Sequence, residues 1–233
     1  MCVFRLRSVS ALLLSLSLSS VFMFCAKKSG QDAAPPAAAV APDNVLADAR
    51  DGKKYKTVKI GEQVWMAENL NYQADGSSCY ENSADSCNKY GRLYDWETAK
   101  KACPTGWKLP DTADWNRLIT AAGGEETAGK KLKSKDGWND YCDSEDEDAR
   151  TCFDGNGTDD YGFSAISGGV VICNDGCGVY HVGGRGVWWS ANKNDRFGSV
   201  YDIAMDNQSE NVNNFSNANG DPSEGYSVRC LKE

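Results

Sequence analysis

Eight cysteines between Cys79 and Cys230 constrain this chain more than any other feature. In an exported protein an even set of this kind reads as a disulfide framework. Eight cysteines allow 105 connectivities, so spacing has to sort them. Cys79/Cys87, Cys142/Cys152 and Cys173/Cys177 are close pairs, each separated by turn-rich or polar residues. Asn174-Asp175-Gly176 is a turn signal suited to bringing Cys173 and Cys177 together. Cys103 and Cys230 remain, 127 positions apart. Cross-linking so long a loop removes about 5 kcal/mol of unfolded-state entropy in the chain-entropy model. The rival reading is a zinc site built from Cys173, Cys177 and two others. Export, and the absence of any CxxC pair, argue against it.

Export is read from the N-terminus. Arg5 and Arg7 form a positive start, and Ala11 to Phe24 is an uncharged run of fourteen residues, short for a membrane span. The run ends at Cys25, a placement that resembles a lipoprotein signal, with Phe24 where a small residue is usual. The expected organisation is a signal peptide over 1–24, a lipid-anchor Cys25 with a linker over 25–50, and a folded domain over 51–233. The expected location is the outer membrane or cell surface, with periplasmic or secreted protein as the alternative.

From Ala26 to Pro42 there are seven Ala and three Pro, with Val40 the one larger apolar residue. Such a stretch buries too little surface to offset its ordering entropy and reads as a tether. All seven Trp and all ten Tyr lie beyond residue 50, which sets the expected domain start at Asp51. The formal charge is −8, and −10 without the first 25 residues, so nucleic acid is not an expected partner. The membrane is expected to be reached through the lipid anchor alone. A single histidine, His181, excludes His-rich metal sites and two-histidine catalysis.

Within the domain, Tyr55–Ile60, Gly61-Glu62 and Gln63–Met66 read as a hairpin with a tight turn. Gly91 to Lys101 carries Leu93, Trp96 and Ala99 at helical spacing. A second helix is clearer: Asp111 is its N-cap, Asp114 sits in the first turn, and Trp115, Leu118, Ile119 and Ala122 follow on one face before Gly123-Gly124. Residues 151 to 190 hold ten of the 23 glycines. Short β runs are expected at Phe163–Ile166, Gly169–Ile172, Val187–Ser190, Val200–Ile203 and Tyr226–Leu231. Helices first and strands later predict an α+β fold with an antiparallel sheet and long stapled loops.

Several strings resemble one bacterial family. Asp51 to Gly61 with Trp65-Met66-Ala67-Glu68-Asn69-Leu70-Asn71-Tyr72, then Tyr90-Gly91-Arg92-Leu93-Tyr94 and Cys103-Pro104-Thr105-Gly106-Trp107-Lys108-Leu109-Pro110, are similar to the Fibrobacter succinogenes major paralogous domain. The similarity continues through Gly155-Asn156-Gly157-Thr158-Asp159, Gly162-Phe163-Ser164-Ala165, Trp189-Ser190 and Ser227-Val228-Arg229-Cys230. The resemblance implies an exported, often lipidated protein of undefined biochemistry. More distantly, Gly106, Trp107, Leu109, Pro110 and Trp115 with the closing Val-Arg-Cys resemble the formylglycine-generating enzyme group. That group shares the C-type-lectin-like fold, which implies two helices, terminal strands side by side and a long loop region. The same resemblance implies a Cys103–Cys230 bridge from the first helical region to the last strand.

Candidate constellations are weighed against plain structural roles. Trp138-Asn139-Asp140 spells a calcium-and-sugar motif of C-type lectins, but lies too far from the closing strands and lacks its Glu-Pro-Asn partner. Asp154 to Asp160 places oxygen side chains at alternate positions, as calcium loops do, yet Asp159 holds the Gly position and no Glu closes the loop. An Asx-rich turn is the preferred reading. Asp143, Glu145, Asp146, Glu147 and Asp148 read as a solvated loop. Trp188 and Trp189 must point to opposite faces of a strand, one into a core and the other either a sugar platform or buried as well. His181 reads as a turn or surface residue. No catalytic residue, metal site or cofactor is expected, and no ligand-binding residue is singled out. The expected function is an envelope binding or adhesion module for a polysaccharide or a cell-surface protein. The alternatives are an oxidase like the formylglycine-generating enzyme, which needs a reactive cysteine pair, and a structural envelope protein.

Overall fold

A computed structural model describes residues 44–144, 151–173, 176–194, 198–214 and 220–233. In chain order the elements are β1 (Val45–Ala47), β2 (Lys54–Ile60), β3 (Gln63–Met66), β4 (Ser77–Ser78), α1 (Ala84–Tyr90), β5 (Leu93–Tyr94), α2 (Trp96–Ala102), β6 (Trp107–Lys108), α3 (Thr112–Ala121) and α4 (Glu125–Leu132). There follow β7 (Tyr141–Cys142), β8 (Cys152–Phe153), β9 (Val170–Cys173), β10 (Cys177–Tyr180), β11 (Arg185–Lys193), β12 (Val200–Asp206), β13 (Asn213–Asn214), β14 (Tyr226–Ser227) and β15 (Leu231–Lys232). The fold is α+β. One sheet has the order β1-β2-β3-β15-β6, the other β13-β12-β11-β14-β5-β4, and β9/β10 and β7/β8 form separate two-stranded ribbons.

Local chemistry explains the clearest elements. Gly61 takes φ 59° at the β2–β3 turn, a conformation that suits glycine, and the strands pair from Ile60/Gln63 outward. Helix α3 starts in a full capping box: Asp111 Oδ1 accepts from Asp114 N at 2.7 Å, and Asp114 Oδ2 accepts from Asp111 N at 3.1 Å. Helix α2 is capped by Asp95, whose carboxylate accepts from Thr98 N at 2.8 Å.

Strand β11 divides the interior. Trp188 faces a core made with Trp65, Trp115, Phe163, Ile203 and Met205. Trp189 faces a second core with Tyr94, Trp96, Val200, Ala204 and Tyr226. Each indole has a partner: Trp188 Nε1 donates to Asn69 Oδ1 at 2.9 Å, and Trp189 Nε1 donates to the Tyr94 carbonyl at 2.6 Å. Both tryptophans are fully buried, so neither is a sugar platform.

Four disulfides join the eight domain cysteines: Cys79–Cys87, Cys103–Cys230, Cys142–Cys152 and Cys173–Cys177. Cys103 is the C-cap of α2, and Cys230 lies between β14 and β15, with 5.7 Å between their Cα atoms. The bridge therefore ties a helix end to the segment where the chain passes from one sheet to the other.

Four expectations need correction. Tyr226–Leu231 is not one strand: it breaks into β14 and β15 in different sheets. Between them Val228 and Cys230 offer their carbonyls to Leu70 N at 2.9 Å and Met66 N at 3.0 Å. Leu93 is not helical, because it pairs with Ser227 and Ser78, and α2 begins only at Trp96. Phe163–Ile166 is not a strand; it is an irregular segment touching Lys133 through one bridge at Ala165. Finally, β1 pairs with β2, with Leu46 in the core and Asp48 fully buried, so the sheet takes in residues ahead of Asp51.

Candidate functional site

A cleft of about 520 Å³ opens beside β2, the segment leaving β3, the end of α1 and the loops at 134–136 and 159–166. Alternation along β2 sends Lys54 and Lys56 to the same side, where both are exposed. Lys53, Lys89 and Lys135 complete a rim of five lysines, against three acids, Glu68, Asp136 and Asp159. The acids are engaged. Glu68 Oε2 accepts from Lys56 N at 2.6 Å. Asp159 accepts from Ser164 N at 2.7 Å and from Ser164 Oγ at 2.6 Å. Asp136 interacts electrostatically with Lys89. Lys53 pairs with Asp51 at 3.1 Å and donates to the Asn71 carbonyl at 2.6 Å. Lys54, Lys56 and Lys135 make no ion pair among the described residues.

The floor of the cleft is a polar network. Asn69 is buried and ties the end of α1 to β14: Nδ2 donates to the Tyr90 carbonyl at 2.9 Å and to Ser227 Oγ at 3.3 Å. Its Oδ1 accepts from Trp188 Nε1 at 2.9 Å and from Arg229 Nε at 2.8 Å. Behind it Arg229 is fully buried, with Nη1 donating to the carbonyls of Met66 and Phe163 and Nη2 to that of Ser164 at 2.7 Å. The guanidinium lies 4.7 Å over the Phe163 ring. Burial pulls it down to about 9, while the charges of Asp159 and Glu68 hold it up, so it stays protonated at neutral pH. Asp159 and Ser164 both adopt left-handed backbone, φ 48° and 51°, and their mutual hydrogen bonds offset that cost.

The strings that carry this network, Trp65 to Asn71 and Ser227 to Cys230, stand at opposite ends of one matched stretch. The model of the Fibrobacter succinogenes major domain matches residues 58–232. The chain belongs to that family. No curated protein and no solved structure matches it significantly. In this member of the Fibrobacter succinogenes major domain family, the cleft floor and the junction of the two sheets are one structure.

The candidates from sequence fall elsewhere. Trp138 is a core residue whose Nε1 donates to the Ala165 carbonyl at 2.9 Å, and Asn139 N donates to the Gly183 carbonyl at 2.8 Å. In the 154–160 loop, Asp154 Oδ1 accepts from Asn156 N and Nδ2, both at 2.8 Å, as in an Asx turn. Asn156 Oδ1 in turn accepts from Trp138 N at 3.0 Å. The loop lies tight on the domain: a Cβ at Gly157 would come within 2.1 Å of the Lys133 carbonyl. Among the described residues no three His, Cys, Asp or Glu side chains gather where they would hold a metal ion. His181 is exposed in a turn at φ 62°. Asp143 accepts from Thr151 N at 2.7 Å, whereas Glu145, Asp146, Glu147 and Asp148 lie outside the described residues, as do Cys25 and the signal segment. Among the described residues no helix is long and apolar enough to cross a membrane.

Sequence reasoning missed a buried charge, Lys133, and a half-buried one, Asp202. Lys133 donates to the carbonyls of Asp206 and Ser209, both at 3.0 Å, and burial lowers it to about 8. Asp202 sits beside Trp189 on the inner face of β12, and burial raises it to about 6. A lone acid in the apolar run from Val200 to Ile203 was the available signal for Asp202. For the cleft, the signal was Lys54 and Lys56 flanking the buried Tyr55 in an acidic chain.

Proposed function

We propose that this domain is an exported binding module of the cell envelope, held on a tether through a lipid at Cys25, whose ligand is a polysaccharide taken into the lysine-rimmed cleft. The observation that carries the reading is the cleft itself. Unpaired cations stand above a floor of fully bonded amide, hydroxyl and guanidinium groups. A floor so completely cross-linked is already organised before a ligand arrives, which lowers the entropic cost of binding. Two sheets, few helices and a bridge from the end of α2 to the last strands also support a C-type-lectin-like architecture. Four disulfides fit an oxidising compartment. An oxidase of the formylglycine-generating kind needs a reactive pair of thiols. With all eight domain cysteines bridged, binding is favoured over that chemistry.

The test is retention of the purified, oxidised chain on a panel of insoluble and soluble polysaccharides, with calcium and with chelator. Retention independent of calcium is expected. Retention lost on chelation would reinstate the 154–160 loop as a cation site, and no retention on any glycan would refute the polysaccharide reading.

A further inference from the structure

A protein with a formal charge of −8 has acids to spare for every lysine. Away from the cleft some lysines use them, Lys59 pairing with Glu62 at 3.3 Å, Lys100 with Glu97 at 2.8 Å and Lys108 with Asp114 at 2.6 Å, while others such as Lys101 and Lys193 make no ion pair among the described residues. Of the five cleft lysines, Lys53 has an ion-pair partner among the described residues, Asp51 at 3.1 Å, and the other four do not. Glu68 Oε2 and both oxygens of Asp159 accept from protein donors, while Lys54, Lys56 and Lys135 make no ion pair among the described residues. Lys54 and Lys56 stand about 7 Å apart along one rigid strand, from the strand rise alone. A further positive charge, Arg229, lies behind the floor with oxygens of Met66, Phe163, Ser164 and Asn69 as its acceptors. In its desolvated site that charge is screened less than a surface one.

We infer that the ligand of this cleft is acidic: a polysaccharide carrying carboxylates on its sugar units. The inference rests on the binding reading above and narrows its chemistry. Ammonium groups meet the carboxylates. Between them the half-buried Asn71 and the exposed Asn88 present amide groups of the kind that exchange hydrogen bonds with sugar hydroxyls. An acidic protein partner is the less favoured class, because protein interfaces centre on apolar or aromatic anchors, and the one aromatic residue of the cleft lining, Tyr55, is buried. The overall negative charge repels any polyanion at long range, so attraction is confined to the cleft mouth and weakens with salt.

The experiment measures affinity for polygalacturonate, for neutral galactan and for poly-L-glutamate, at 50 mM and 500 mM NaCl. It compares the natural chain with Lys54→Gln/Lys56→Gln/Lys135→Gln and with a control of equal charge change, Lys59→Gln/Lys101→Gln/Lys193→Gln. Polygalacturonate should bind best, weaken at high salt, and lose at least tenfold in the cleft variant with little change in the control. The cleft lysines are exposed and unpaired, so the denaturation midpoint of the variant should be unchanged. Equal affinity of the two triple variants overturns the assignment of the cleft. Equal binding of poly-L-glutamate overturns the sugar class in favour of an acidic protein. Binding of galactan without polygalacturonate overturns the acidic class and leaves the polysaccharide module standing, whereas no binding to either glycan overturns both.

Discussion

Replacing Asp202 by Asn should stabilise the protein at neutral and alkaline pH. Asp202 lies opposite Trp189 in the β11–β12 pairing, so the two side chains share a face. That face is apolar: Trp189 stacks on Tyr226 with ring centroids 4.0 Å apart. The groups around Asp202 are Arg185, which favours its charge, and Glu224, which opposes it while accepting a hydrogen bond from the Tyr226 hydroxyl. Burial dominates and raises the carboxyl from 3.8 to about 6. The folded state thus holds this proton more tightly than the unfolded chain does. The contribution of the neutral acid is fully present below pH 4 and is lost as pH rises through 6. The gap corresponds to about 3 kcal/mol at pH 8, an upper bound because part of the side chain still reaches water. Asn keeps the size and removes the charge. Urea unfolding followed by tryptophan fluorescence, with disulfides intact, should find Asp202→Asn more stable than the natural chain by about 2 kcal/mol at pH 8 and nearly equal to it at pH 4. A difference of the same size at both pH values would refute the reasoning, as would a natural chain that is the more stable at pH 8.

Two further outcomes follow from the scaffold. Removing Cys103 and Cys230 together as alanines should cost about 5 kcal/mol in the chain-entropy model, against about 2 kcal/mol for Cys173 with Cys177. Denaturant midpoints should rank the two variants in that order, and near-equal losses would show that the long loop is not what the first bridge constrains. Arg229→Met should cost at least about 3 kcal/mol, because it removes the guanidinium donor from the carbonyls of Met66, Phe163 and Ser164 and leaves Asn69 Oδ1 with Trp188 Nε1 alone. Arg229→Lys should recover only part of this in the same assay, since one ammonium cannot reach what the guanidinium fork reaches.

What was legible in the sequence was chemistry that acts over short range. Gly61 announced a turn and Asp111 with Asp114 a helix start, because turns and caps are settled by residues within a few positions of each other. Cysteine spacing announced the staples for a related reason: short loops close locally, and one distant pair was left over. Helices α1 and α4 escaped notice because tertiary contacts, not an apolar stripe, hold them. In α1 only Cys87 is buried, and in α4 the buried positions are Ala128, Gly129 and Leu132. Leu93 misled because burial, not helix, accounts for its spacing from Trp96.

The cleft was hidden for a deeper reason. It draws on β2, Asn69, the 134–136 and 159–164 loops and Arg229, so no window of sequence contains it. Arg229 shows how such a site arises. In sequence it interrupts an apolar run from Tyr226 to Leu231, and period-two reading makes that run a single strand. In the fold the run must leave one sheet and enter the other, and at the crossing it passes the carbonyl of Met66 at the end of β3 and those of Phe163 and Ser164, which lie in no strand. Buried carbonyls need donors. A guanidinium at that point supplies the carbonyls of Met66, Phe163 and Ser164 and the amide oxygen of Asn69 at once, which no apolar residue does. The same four bonds fix Asn69 and Ser164, and those two residues line the cleft. One charged side chain at the crossing between two sheets thus organises the floor on which a ligand would rest.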